Sequence, residues 1–333
     1  MKHGGDLGAA IAQAGGLAED WLDLSTGINP HAYPLPALPA HVWTALPGQD
    51  ALDRLLATAR ATYQVPDHLA LAAAPGTQAI LARLPHILPA GDVAVVGPTY
   101  GSHADTWRRA GRQVIDIRTP FADLNPSVRV LVIVNPNNPD GRLVDATSLR
   151  HLAGEMQRRG GRLVIDEAFT DSFPGTSVLP HLEGMPALVL RSFGKFYGLG
   201  GVRLGFAAGP AEDIDRLTAD LESWAVSGPA LAIGTAALAD THWQDLMRAR
   251  LADEAADLTM LMHKHGLSVF GGTPLFVLAG TRDAAALHRA LARQRIWTRV
   301  FDYAPTWMRI GLPGSKEAFD RLDAALVTAV TEA

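Results

Sequence analysis

The chain of 333 residues contains no cysteine, which removes disulfides, thiolate nucleophiles and cysteine-based metal centres together; no metal site is expected. No long apolar run stands behind the start Met1-Lys2-His3-Gly4-Gly5-Asp6, so neither a signal peptide nor a membrane anchor is predicted, and the chain reads as cytoplasmic. Positive charge is sparse. Lys and Arg number 29 against 34 Asp and Glu, for a net charge of −5, and the arginines are scattered, leaving no basic face for nucleic acid or an anionic membrane. Small molecules are the expected partners. What the chain does have is apolar content, 48% of its residues, enough for a large core in a length that suits about two domains.

Short β-branched runs alternate with helix-length amphipathic segments, the pattern of an α/β domain with a mostly parallel sheet. Val93 to Val96, Val130 to Val134, Leu163 to Asp166 and Leu188 to Ser192 are nearly all apolar, as strands covered on both faces should be. Ser102 to Ala110 and Ala146 to Arg159 read as helices between them. After Pro210 come Ala/Leu-rich helices over Glu212 to Trp224, Ala230 to Leu238 and Trp243 to His265. A strand at Leu275 to Leu278, a helix from Asp283 to Gln294, a strand near Trp307 to Gly311 and a helix from Lys316 to Val330 look like a smaller α+β unit. The Pro-rich segment Pro30 to Pro39 reads as an irregular arm. The expected division is a large domain over residues 41–229, with residues 1–40 and 230–333 supplying an N-terminal arm and a small C-terminal domain.

Only four lysines are present, and Lys195 is the one in an apolar, glycine-rich setting, Ser192-Phe193-Gly194-Lys195-Phe196-Tyr197-Gly198. An amine held among apolar groups, near the second cation Arg203, loses its proton more readily and becomes a nucleophile able to form a Schiff base. Its natural electrophile is the aldehyde of pyridoxal phosphate, which also needs a carboxylate for its pyridinium nitrogen and a cradle for its phosphate. Ligands of a doubly wound sheet sit outside the carboxyl ends of its strands. Asp166 ends the strand Leu163 to Asp166, where a carboxylate is costly to bury without a cationic partner. Asn135-Pro136-Asn137-Asn138-Pro139-Asp140-Gly141 forms a tight turn after the preceding strand. Ala74-Pro75-Gly76-Thr77-Gln78 precedes the helical run Ala79 to Leu84, whose first amides suit an anion, although such loops also occur as plain helix starts. Tyr100 follows the strand Val93 to Val96 and offers either a ring for a flat heterocycle or an ordinary half-buried phenol.

Taken in order, these motifs resemble fold-type I pyridoxal-phosphate enzymes of the class I/II aminotransferase group over nearly the whole chain. That resemblance implies a mostly parallel central sheet with helices on both faces, a smaller α+β domain, pyridoxal 5'-phosphate as cofactor and a homodimer. It implies Lys195 as the Schiff-base lysine, Asp166 on the pyridinium nitrogen and Asn138 on the phenolic oxygen. Gly76, Thr77, Gln78, Ser192 and Arg203 would hold the phosphate, with Tyr100 stacked on the ring. Two positions depart from the general pattern. Phe169 stands where many relatives have a tyrosine on the phenolic oxygen, and Leu46-Pro47 replaces a common Tyr-Pro dipeptide.

The N-terminal stretches His3-Gly4-Gly5-Asp6-Leu7 and Leu22-Asp23-Leu24-Ser25-Thr26-Gly27-Ile28-Asn29-Pro30 resemble the threonine-phosphate decarboxylase branch of cobalamin biosynthesis, which is similar to the histidinol-phosphate aminotransferases. The implied reaction converts L-threonine O-3-phosphate to (R)-1-amino-2-propanol O-2-phosphate and carbon dioxide. The implied substrate contacts fall on His3, Gly4, Gly27, Asn29, Asn138, Arg299 and Arg309, the two arginines suiting an anion clamp. A transaminase and a non-catalytic coenzyme-binding module remain as alternatives. The first differs only in which Cα bond stands perpendicular to the coenzyme ring.

Overall fold

The structure, a computed structural model, describes residues 4–182 and 184–332. The chain divides into two units: Tyr33–Asn138 with Arg142–Trp243, and Met1–Ala32 with Pro139–Gly141 and Gln244–Ala333.

The larger unit is built on a seven-stranded sheet. Its strands are β1 (Ala70–Ala74), β2 (Asp92–Val96), β3 (Val114–Ile117), β4 (Val128–Val134), β5 (Arg162–Asp166), β6 (Ala187–Ser192) and β7 (Gly205–Gly209). They lie in the order β1-β7-β6-β5-β4-β2-β3, and every pairing is parallel except those of β7 with β1 and β6. The four strands expected from apolar runs are there, each beginning one or two residues early. Their residues are buried almost throughout, because helices cover a parallel sheet on both faces.

β1, with sequence ALAAA, and β7, with sequence GFAAG, were not anticipated, for they contain no β-branched residue. Small side chains are required there by close packing. A Cβ on Gly205 would stand 2.6 Å from the backbone nitrogen of Thr77, and one on Gly209 would stand 2.7 Å from Leu188 Cδ1. The helix expected over Glu212 to Trp224 is Ala211–Leu221; it ends where Glu222 (φ 63°) and Trp224 (φ 58°) enter the left-handed region. Ser227 then caps a new helix, Gly228–Ala239, which also belongs to the larger unit.

The smaller unit holds a four-stranded antiparallel sheet, Arg299–Phe301, Ala304–Gly311, Phe276–Gly280 and Ser268–Thr273 in that order, with the helices Ala284–Arg293 and Lys316–Glu332. Leu22–Asp23 pairs in parallel with Ile296–Trp297. The long helix Thr241–Lys264 begins in the larger unit and continues into the smaller. Residues 30–39 contain no helix or strand. Among the described residues, no helix is long and apolar enough to cross a membrane.

Behind the ends of β5 and β6 lies a buried charge cluster. Arg191 donates to Glu167 Oε2 at 2.8 Å and to Asp171 Oδ1, and its guanidinium lies 4.4 Å from the centroid of the Tyr63 ring. Glu167 also accepts from Val178 N and Ser177 Oγ, both at 2.7 Å. Burial nevertheless raises the Glu167 pKa above the ordinary range, with Arg191 opposing the shift. The folded state therefore keeps this proton to higher pH than the unfolded chain, and stability falls as pH rises above the unfolded value. Arg191→Met strands two buried carboxylates and is expected to cost roughly 3–5 kcal/mol at neutral pH. Because protonation relieves them, the loss should shrink toward pH 5; denaturant melts at both pH values check this, and an equal loss at both would contradict it.

Candidate active site

The strand register of the larger unit brings most of the sequence-derived residues to one edge. Gly205 of β7 pairs with Ala74 of β1 on one side and Ser192 of β6 on the other. On β5, Asp166 pairs with Leu190 of β6 and Val134 of β4, and its carbonyl accepts from Asn135 N at 2.8 Å. The segments bearing Gly76, Asn138, Asp166, Ser192 and Lys195 thus all leave the carboxyl ends of parallel strands. This is the rim where an α/β sheet binds its ligands.

Asp166 is 4% exposed. Its Oδ2 meets His103 Nε2 at 2.8 Å, and its Oδ1 accepts from Ala168 N at 3.1 Å. The fully buried His103 ring makes no other hydrogen bond among the described residues, since its Nδ1 is unpartnered. Sequence reasoning missed His103. The available signal was its spacing: His103 and Trp107 stand one helical turn apart and are both buried in Ser102–Arg109. Tyr100 is half-buried, edge-on to His103 with ring centroids 6.1 Å apart, and its hydroxyl reaches Gln78 Oε1 at 3.3 Å.

The loop of Asn138 is fixed by two neighbours that the sequence reading left without a role. Asn137 accepts from Thr99 Oγ1 at 2.6 Å and donates to the Pro98 carbonyl at 3.0 Å. Asn135 uses its amide in both senses on Val144, accepting from N at 2.8 Å and donating to O at 3.2 Å. Lys195 lies in the short helix Phe193–Phe196 directly after β6, half-buried, with Nζ 5.9 Å from the centroid of the Phe169 ring. Phe169 is itself buried, so the departure from tyrosine puts an apolar face beside the amine.

These groups fit pyridoxal phosphate on structural grounds. Gly76 adopts φ +84°, a conformation that favours glycine, and a Cβ there would stand 2.7 Å from Arg203 Nη2 and press on the guanidinium. The helix Thr77–Ile87 starts immediately afterwards with no side-chain cap; Ala79 N donates to the Gly76 carbonyl at 3.0 Å, and the Thr77 and Gln78 amides ahead of it would suit an anion. Arg203 is exposed, has φ +56° and donates to the Gly200 carbonyl at 3.1 Å. A buried carboxylate, an amine, and an anion cradle of amides, Ser192 and a guanidinium are the donor set the coenzyme requires.

The smaller unit carries the other predicted residues. Arg299 and Arg309 are directly opposed on neighbouring strands. Like charges so placed repel, and an anion between them relieves the repulsion. Arg309 is 6% exposed, donates from Nη2 to the Ser25 carbonyl at 2.7 Å, and stands 4.9 Å from the centroid of the Phe276 ring. Its pKa is pulled down to about 10, first by burial and then by Arg299. Burial also lowers that of Arg299. Gly27 is buried, and Asn29, 2% exposed, accepts from His31 N at 2.8 Å. Gly4 lies against Ser25, so close that a Cβ would collide with its carbonyl oxygen. His3 lies outside the described residues.

The class defined by this fold and site can be stated: residues 39–326 match the class I and II aminotransferases, and the chain belongs to that family. Within it, the chain is 42% identical to a threonine-phosphate decarboxylase of Pseudomonas aeruginosa, over 98% of this chain and 97% of that one. It is 41% identical to a threonine-phosphate decarboxylase of a Sinorhizobium species, again over 98% of this chain and 97% of the relative. Its fold superposes on the crystal structure of L-threonine-O-3-phosphate decarboxylase from Porphyromonas gingivalis with a TM-score of 0.77 at 20% identity, covering 92% of this chain and 99% of that one.

The crowding at Gly76 gives a direct test. Gly76→Ala meets both a left-handed φ and the Arg203 guanidinium, so coenzyme affinity measured by absorbance titration should fall about tenfold or more, for a penalty of roughly 1–3 kcal/mol. An unchanged titration would contradict the cradle.

Proposed function

We propose that this chain is a pyridoxal-phosphate-dependent lyase that decarboxylates L-threonine O-3-phosphate to (R)-1-amino-2-propanol O-2-phosphate and carbon dioxide, a step of cobalamin biosynthesis. The observation that carries the reading is the opposed pair Arg299 and Arg309, two cations on neighbouring strands that suit an anionic substrate. The near full-length similarity to two threonine-phosphate decarboxylases supports the same substrate.

In this reading, the amides of Gly76, Thr77 and Gln78, the Ser192 hydroxyl and the Arg203 guanidinium bind the coenzyme phosphate. Asn138 bonds the ring oxygen, Tyr100 covers the ring, and Lys195 supplies the amine that holds the aldehyde. Asp166, kept in place by His103 Nε2 and Ala168 N, holds a proton on the pyridine nitrogen through its negative charge. The bound coenzyme supplies an electron sink for the pair left on Cα when carbon dioxide departs. Lys195 Nζ, released when the substrate's amine displaces it, would then deliver a proton to Cα as general acid. Arg309 and Arg299 take the substrate's anionic groups, with Gly4, Gly27 and Asn29 lining that side and His3 next in sequence. Phe169 contributes an apolar wall beside Nζ and no proton.

A cytoplasmic homodimer completes the proposal. Leu35, Trp43, Leu46 and Trp224 of the larger unit are all more than half exposed, and a second copy would cover such side chains. Leu46 stands at the position of the Tyr-Pro departure, so its contribution would be apolar contact without a hydroxyl.

Incubation with L-threonine O-3-phosphate and no 2-oxo acid should release one carbon dioxide per aminopropanol phosphate formed. A dependence on 2-oxoglutarate, with no gas, would replace this reading with a transaminase. Arg309→Ala should lower kcat/KM by about 10–100-fold, as expected for a lost charged hydrogen-bonding partner of 1.5–3 kcal/mol. Unchanged affinity and turnover would remove Arg309 from the substrate site.

A further inference from the structure

Ser25 is where the anion arginine and the N-terminal segment meet. It is 1% exposed, and each of its polar groups is committed. Its carbonyl accepts from Arg309 Nη2 at 2.7 Å. Its backbone N–H donates to Asp23 Oδ1 at 2.9 Å, and its hydroxyl donates to the same oxygen at 2.6 Å. The hydroxyl oxygen also accepts from Gly5 N at 2.8 Å. Gly4 must be glycine, because a Cβ would collide with the very carbonyl that Arg309 uses. Gly5, at φ +85°, has the backbone conformation that turns its N–H toward the hydroxyl at little cost.

A guanidinium beside a second one has no inherent reason to keep its fork in one orientation. Arg309 is held by the Ser25 carbonyl, and Ser25 is held by Asp23, whose Oδ1 accepts from both its backbone N–H and its hydroxyl. We propose that Ser25 is a positioning residue that fixes the Arg309 fork through its carbonyl and the Gly4-Gly5 segment through its hydroxyl, so that both are held at one place to meet a phosphoryl group. Asp23 is the anchor, and its negative charge also favours the charged form of Arg309. The assignment rests on reading the smaller unit as the substrate's anion site, where a fixed guanidinium fork meets phosphate oxygens in one orientation.

The test uses the coenzyme-loaded protein with inorganic phosphate as the probe, followed by calorimetry, alongside kinetics with L-threonine O-3-phosphate. Ser25→Ala removes the hydroxyl bonds to Gly5 and Asp23 while keeping the carbonyl. Both the phosphate Kd and KM should rise roughly tenfold, the loss expected for one or two buried hydrogen bonds, with kcat and coenzyme affinity within about twofold. Gly4→Ala pushes the terminal segment off the Ser25 carbonyl and should raise the same two constants; being a change in the terminal segment alone, it reads out even if Ser25→Ala folds poorly. Unchanged phosphate affinity in both folded variants would overturn the assignment. A fall in kcat at constant KM would overturn it too. If the wild-type protein binds phosphate but releases no carbon dioxide, the decarboxylase reading fails, while the phosphate Kd of the variants still decides the role of Ser25.

Discussion

A carboxylate almost sealed from water at the end of a central strand is the constraint around which the larger unit is arranged. Asp166 at 4% exposure needs partners, and in the described structure it has two, the His103 imidazole and the Ala168 amide. Burying such a group is expensive unless a cation completes the set. The neighbouring strands keep it there. Its own carbonyl is engaged by Asn135 and the next amide, Glu167 N, by Leu190 O, so β4 and β6 clamp both sides of the peptide that carries it. The Glu167–Arg191–Asp171 cluster adds charge-assisted bonds immediately behind. One fixed negative charge is thereby held in place by backbone register first and side chains second.

The two units divide the recognition of anions by physical means. In the larger unit, an uncapped helix start lies beside a guanidinium over Gly76, a geometry in which backbone amides would do much of the binding of a phosphate. In the smaller unit, Arg299 and Arg309 are paired across neighbouring strands, and the charge of Arg299 adds to burial in lowering the Arg309 pKa, so an anion there would favour both cations.

Much of this was legible in the sequence, for reasons that differ by element. The four apolar strands were readable because parallel strands covered on both faces have no polar side to interrupt them, and the residues that follow them are where ligands bind. β1 and β7 were not readable. Their small residues answer to neighbours distant in sequence, such as the Thr77 amide against Gly205, and composition carries no trace of that. Lys195 stood out because an ammonium among glycines and aromatics has no ordinary surface role. His103 did not, because a histidine in an amphipathic helix looks like any other until its strand partner is known. Ser25 and Asp23 were quoted within a motif, but their work is done on Arg309, 284 residues away from Ser25, which no local pattern reveals.

The central claim is that Lys195 is the amine that carries the coenzyme. Reduction of the coenzyme-loaded protein with borohydride, followed by proteolysis and peptide mass analysis, tests it most directly. The account predicts a single stable pyridoxyl adduct, on the peptide containing Lys195. Adducts spread over Lys2, Lys264 and Lys316, or no adduct at all, would contradict it.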